Sequence, residues 1–303
     1  LEILLPTILN ALNTPAETYA MAYSYLSIYV LGYLAIYLYC YFAAVLRSFG
    51  NSMFQAIAML TTTILNAILD PVFIHFIGFN GAAIATVLSE GICLVFMLVY
   101  IKKKKLFAFK LSSFDKADIW LLIQKAVPSV VQQSIPAIST TFLTALVSTY
   151  SITAIAAYGV TGKLEIIVFY PAMALNMVLT TIIGQCVGGN RYDRAKDYLK
   201  CGLKYGCGLL VILSVLVVGF SRQLSGLFVR SDKVAEIVGT YFLIVGIGYI
   251  LNTVTNCYLG SLNGLGKPSK SMFLMIFYYI IVRMPLVYLL SYLNLGLNGI
   301  WFA

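Results

Sequence analysis

The chain has 303 residues, of which 61% are hydrophobic and 10% are charged, and its mean hydropathy is +0.92. A soluble domain carries about a quarter charged residues, so this chain cannot coat itself for water and lipid must be its solvent. The net charge of +9 comes from 20 basic and 11 acidic residues, and the basic ones sit mostly between apolar runs, which speaks for membrane topology signals and against nucleic-acid binding.

Residues 1–12 read as the end of a helix. Asn13, Thr14 and Pro15 read as a turn, with Thr14 as a cap ahead of the proline. Helices are expected over 17–46, 53–77, 81–101, 118–148, 153–187, 195–220, 234–262 and 269–293, and a last one opens near Leu297. A membrane-spanning helix needs ~20 apolar residues, and these runs supply them. Barrel strands of ~10 residues are too short to account for them. Pro71, Pro128, Pro136, Pro171 and Pro285 fall inside helices, which membrane helices tolerate where neighbours satisfy the freed carbonyls.

Four loops carry most of the basic residues. Arg47 lies in the first. Lys102, Lys103, Lys104, Lys105, Lys110 and Lys116 lie in the second. Arg191, Arg194, Lys196 and Lys200 lie in the third, and Lys267 and Lys270 in the fourth. All four fall on one side of the membrane, expected to be cytoplasmic, with Arg222, Arg230 and Lys233 as exceptions. The cysteines at 40, 93, 186, 201, 207 and 257 form no CxxC, and His75 is the only histidine. They read as small packing residues, and neither a metal site nor a cofactor is expected.

An internal repeat organises the chain. Leu46-Arg47-Ser48-Phe49-Gly50 is similar to Leu262-Asn263-Gly264-Leu265-Gly266. Asp70-Pro71 is similar to Met284-Pro285, and Gly78-Phe79-Asn80-Gly81 to Gly296-Leu297-Asn298-Gly299. Tyr25 and Gly32 match Tyr241 and Gly248. The offset is 216 residues for Gly50 to Gly266 and for Gly32 to Gly248. Matched positions are six helices apart, so both copies share one orientation, as in parallel-repeat transporters. The expected fold is an all-α polytopic membrane protein of two six-helix bundles, truncated at both ends. The expected parts are a partial N-terminal bundle at 1–101, a basic cytoplasmic linker at 102–117 and a C-terminal bundle at 118–303. By the offset, roughly a hundred residues belong ahead of Leu1.

These marks, taken in order, resemble the multidrug and toxic compound extrusion (MATE) family. They include Leu46-Arg47-Ser48-Phe49-Gly50, Asn66-Ala67-Ile68-Leu69-Asp70-Pro71, Gly78-Phe79-Asn80-Gly81, Val127-Pro128-Ser129 and Gly184-Gln185-Cys186-Val187-Gly188-Gly189-Asn190. The resemblance runs from the end of family helix 3 to the start of helix 12. It implies export of amphipathic, often cationic drugs in exchange for Na+ or H+, from a multi-pass protein of the bacterial cytoplasmic membrane. Lipid-linked oligosaccharide flippases share that architecture.

A charge inside a membrane helix costs ~2.5–3.5 kcal/mol on insertion scales, so each one is a functional candidate. Thr62, Asn66 and Asp70 share a helix face at i, i+4 spacing. Pro71 cannot donate to Ala67, which frees a carbonyl beside the acid. Oxygens of this kind suit a hard cation or a proton. The resemblance adds that an acid and an Asn at these two positions take part in cation coupling. Thr86 and Glu90 share a face of the next helix, so Asn66, Asp70, Thr86 and Glu90 are expected to meet as the coupling site. Lys163 and Glu165 are two apart and do not face each other. In some members of the family acids on helices 7 and 10 matter. Here those helices offer Gln132, Gln133, Asn252 and Asn256 instead.

Tyr25, Tyr29, Tyr33, Tyr37 and Tyr41 repeat at i+4. Such a stripe either packs or offers ring faces to a cationic drug. A substrate cavity is expected around Tyr33, Tyr37, Gln133, Thr140, Asn252 and Asn256, with Thr144 beside them. The function expected is cation-coupled multidrug efflux by a monomer, with small-molecule drugs and the bilayer as partners. A flippase is the alternative, against which stands the scarcity of basic residues within helices, Lys163 and Arg283 being the two. A membrane-embedded enzyme has no His cluster, Ser/His pair or phosphate loop to support it.

Overall fold

The structure, a computed structural model, describes residues 2–11, 16–106, 115–293 and 296–302. The turn expected at Asn13–Pro15 lies outside them. Among the described residues there is helix and no strand. After a 3-10 turn at Glu2–Leu4 come α1 (Leu5–Ala11), α2 (Ala16–Ser48), α3 (Ser52–Ile77), α4 (Asn80–Lys104), α5 (Lys116–Ser148) and α6 (Ile152–Gly188). These are followed by α7 (Tyr192–Ser225), α8 (Asp232–Gly264), α9 (Pro268–Ile276), a π-helical stretch at Phe277–Arg283, α10 (Met284–Tyr292) and α11 (Gly296–Phe302). Eight helices among the described residues are long and apolar enough to cross a membrane. The chain forms two compact units, Leu1–Ser112 and Ser113–Ala303.

Helix ends extend past the expected limits because caps, not hydropathy, set them. The basic linker expected at 102–117 is helical at both ends. Lys102, Lys103 and Lys104 form the last turn of α4, where positive charge complements the helix dipole, and Lys105 takes the left-handed cap conformation (φ 49°). The Asp115 carboxylate accepts from the Ala117 N–H at 3.0 Å and starts α5. Ser151 caps α6 in the same way through the Ala154 N–H, also at 3.0 Å.

The two units carry the same local stops. Gly50 (φ 76°) and Gly266 (φ 70°) are left-handed, as are Gly78 (φ 74°) and Gly296 (φ 61°). After α2, the Asn51 N–H bonds Leu46 O at 3.0 Å and the Gly50 N–H bonds Arg47 O at 2.9 Å. After α8, Lys267 bonds Leu262 O and Gly266 bonds Asn263 O, both at 2.9 Å. These are matching Schellman stops, in which only glycine takes a positive φ without strain. Gly50→Ala and Gly266→Ala are each expected to cost about 1 kcal/mol, read as lowered thermal midpoints of the purified protein in detergent.

In the first unit, α2 lies along α4, and α3 and α4 form a hairpin. Its core joins Tyr39, Phe42 and Leu46 of α2 to Ala58 of α3 and Cys93 and Met97 of α4. Phe54 stacks on Tyr100 with ring centroids 3.6 Å apart. In the second unit, α6 and α8 pack most closely, α7 lies on both, and α5 lies on α9. The core gathers Val160, Leu164 and Val168 of α6, Leu210 of α7 and Phe242 and Tyr249 of α8. The single helix expected at 269–293 is continuous over Pro268–Tyr292 and carries a π stretch, where the Met284 N–H reaches back to Tyr279 O. Pro285 follows at once. A proline deprives a carbonyl of its donor, and π turns commonly absorb such a defect.

Candidate functional site

The α3–α4 hairpin builds the site in the first unit. Gly78 turns the chain, and Gly81 lets α4 start against α3. A Cβ on Gly81 would run into the Phe73 carbonyl. This close start puts Thr86 opposite Asn66. The Asn66 Nδ2 donates to Asp70 Oδ1 at 3.2 Å and to Thr86 Oγ1 at 3.3 Å. The Thr86 hydroxyl donates to Ala82 O at 3.0 Å, so its lone pairs face outward from that bond. Asn66, Asp70 and Thr86 are all partly buried. The amide nitrogen of Asn66 is committed, which leaves its Oδ1 as an acceptor. With the carboxylate and the carbonyl freed by Pro71, the cluster is rich in oxygen and holds one formal negative charge. Tyr25 of α2 lies within electrostatic reach of Asp70 and packs on Phe79, ring centroids 4.9 Å apart. The Asn80 Nδ2 donates to Ser24 Oγ at 2.7 Å and ties the hairpin tip to α2.

Two expected members stand apart. Thr62 donates to Ala58 O at 2.9 Å and to the Tyr39 hydroxyl at 3.3 Å, and makes no bond to Asn66. Glu90 does not join the three. It is one turn further along α4, near Tyr39 and Cys40, and its buried Oε2 has no hydrogen-bond partner among the described residues. Buried polar oxygens without a partner are uncommon in folded proteins.

The cavity residues are scattered within their units. Tyr33 and Tyr37 are half exposed on α2. Gln133 and Thr140 are exposed on α5, and Thr140 and Thr144 return their hydroxyls to Pro136 O and Thr140 O of their own helix. Asn252 and Asn256 do join a cluster. The Asn256 Nδ2 donates to Asn252 Oδ1 at 3.2 Å, and the Asn176 Nδ2 donates to Asn256 Oδ1 at 3.2 Å. Asn176 was missed from sequence because its partners come from α8, 80 residues on. Glu165, visible in the sequence only as a charge within a membrane helix, gains partners that were missed: its Oε1 accepts from the Tyr241 hydroxyl at 2.5 Å and the Tyr249 hydroxyl at 2.9 Å. The signal available was Tyr241 and Tyr249 eight apart, on one helix face. Among the described residues no group of three or more His, Cys, Asp or Glu is placed to hold a metal ion.

The MatE family model matches residues 1–72 and 128–289. The chain is 26% identical over 257 residues to the probable multidrug resistance protein YpnP of Bacillus subtilis, covering 82% of this chain and 58% of that protein. It is 25% identical over 309 residues to the probable multidrug resistance protein YoeA of the same organism, covering 97% and 66%. The chain thus spans about three fifths to two thirds of the length of these relatives. Among solved structures, the Vibrio cholerae MATE transporter VcmN in the bent form superposes with a TM-score of 0.91 at 21% identity, over 99% of this chain and 69% of that one. At that identity the likeness is one of fold.

Proposed function

The chain belongs to the MatE family, and on that premise we propose that the whole protein exports amphipathic, often cationic small molecules from the cell in exchange for Na+ or H+. The observation that carries the reading is the Asn66–Asp70–Thr86 cluster on the Pro-broken hairpin. A formal charge in a membrane helix persists where it does work. Here the work is cation binding. Oxygens from Asp70, Asn66, Thr86 and the Ala67 carbonyl would hold Na+, and the Asp70 carboxylate would hold H+. Glu90, with its unpartnered oxygen, is the second acid on the cation's route.

Coupling then follows from alternating access. A transporter whose cation site loads on one side and empties on the other converts a gradient into drug movement. Tyr33 and Tyr37 of α2 would offer ring faces to the cargo. Asn252 and Asn256 of α8 would offer it amide groups, and Gln133 and Thr140 of α5 further hydrogen bonds. The relatives' names carry multidrug resistance, which supports the cargo class.

The test uses full-length protein in proteoliposomes, with ethidium as cargo. An imposed Na+ or pH gradient is expected to drive ethidium movement well above the rate without a gradient. Equal rates with and without both gradients would overturn the antiport reading.

A further inference from the structure

Glu165 sits mid-helix in α6, partly buried against the apolar core of the second unit. Leu164 and Val168 beside it are buried, and Tyr241, Phe242 and Tyr249 of α8 belong to the same core. An ionisable group kept in such a place is costly and is retained for function. Both tyrosine hydroxyls donate to one oxygen, Oε1. Oε2 takes no hydrogen bond from the described residues. Arg283, the last residue of the π stretch, acts on Glu165 through its charge but closes no salt bridge with it among the described residues. Its guanidinium lies instead over the Tyr279 ring, 5.7 Å from the centroid.

We propose that Glu165 is a proton-binding site of the second unit, held by Tyr241 and Tyr249, with Arg283 as its opposing charge. The balance is simple. A proton adds to Oε2 and turns the carboxylate into a neutral acid, while Oε1 keeps both hydroxyl bonds in either state. Loading therefore leaves the tyrosine clasp intact. It does change the charge of the Glu165–Arg283 pair from zero to plus one. Arg283 then loses its attraction to α6, and when the proton leaves it regains it. The π stretch gives Arg283 the means to respond, because a π turn holds one residue more than an α turn and can pass that slack along the helix.

The groups around Glu165 are few. Tyr158 comes from its own helix, Tyr241 and Tyr249 from α8, and Tyr279 and Arg283 from the π stretch. Lys163 is exposed. From α7, Arg222 lies against Gly239. From α11 comes the uncharged Trp301, stacked on Tyr158. On α5, Lys125 is engaged with the Gly266 carbonyl at 2.5 Å, at the far end of α8. Glu165 belongs to the second unit and shares no residue with the Asp70 cluster of the first.

The probe is the proton alone. Purified full-length protein in lipid nanodiscs is titrated while the infrared carbonyl band of protonated carboxyl groups is followed. The expected result is a titrating component present in the wild type and in Asp70→Asn, and lost in Glu165→Gln. Tyr249→Phe and Arg283→Gln each displace its midpoint by about one pH unit, tenfold in proton affinity, and Arg283→Lys restores the wild-type midpoint. Spectra of Glu165→Gln that overlay the wild type at every pH overturn the proposal. If Glu165→Gln does not fold, unmoved midpoints in Tyr249→Phe and Arg283→Gln overturn it equally.

Discussion

Asp70→Asn in the full-length protein is expected to abolish cation-driven efflux, to at least about 100-fold below the wild-type rate, because the site loses its one formal charge. The substitution is nearly isosteric. The amide oxygen of the new side chain can still accept from Asn66 Nδ2, the bond now 3.2 Å long, and Asn66 keeps its bond to Thr86 at 3.3 Å. The hairpin keeps Gly78, Gly81 and Pro71. Folding should survive, so the thermal midpoint in detergent should barely move. What goes is the ability to take a proton or to neutralise Na+. Asn66→Ala makes a useful contrast, since it leaves the charge and removes the amide that orients it. Dye efflux from cells, normalised to protein in the membrane, checks both. Unchanged efflux in Asp70→Asn would remove Asp70 from the mechanism and leave Glu90 and Glu165 as the acids to test.

The sequence makes the Asn66–Asp70 pair visible because both residues lie on one helix at i, i+4, and helical spacing is a local property. Thr86 is nearly as visible, since one short hairpin joins its helix to theirs. Glu90 shows where such reasoning stops. It shares a face with Thr86, yet a turn of ~5.4 Å along α4 is enough to move it beside Tyr39 and away from Asp70. Thr62 likewise shares the face of Asn66 but finds Tyr39 from α2. Glu165 is further out of reach. Its partners lie 76 and 84 residues away, and only the packing of α6 on α8 brings them to it. Helix positions were legible from apolar runs alone, while helix ends followed caps such as Asp115 and Lys105. The π turn before Pro285 had no such sign, because one added residue per turn leaves hydropathy unchanged. Pro71, the matching proline, stays within a regular α-helix.

The second large effect concerns the packing that gives the second unit its shape. Gly260 and Gly264 lie four apart on α8, the spacing of small residues that lets membrane helices approach backbone to backbone. A Cβ on Gly260 would fall 2.5 Å from the Asn176 carbonyl oxygen of α6, and one on Gly264 2.8 Å from the Thr180 carbonyl oxygen. Both obstacles are main chain, so no side-chain rotation relieves them. The Thr180 hydroxyl also donates to Gly260 O at 3.1 Å across the crossing. Gly260→Ala is expected to cost about 1–3 kcal/mol by overpacking, and Gly260→Leu to prevent accumulation of folded protein. The control is Gly208→Ala on α7, where nothing lies within 4 Å of the added methyl. There the helix gains about 0.5–1 kcal/mol from the loss of glycine's backbone freedom. Thermal denaturation in detergent should move in opposite directions for the two Gly→Ala variants. The consequence reaches the polar cluster, because the 3.2 Å bond from Asn176 to Asn256 spans the same crossing one turn away. Spreading α6 from α8 would break it, so Gly260→Ala should impair ethidium transport beyond its loss of protein. A Gly260→Ala variant as stable and as active as the wild type would mean that α6 and α8 do not approach this closely in the membrane.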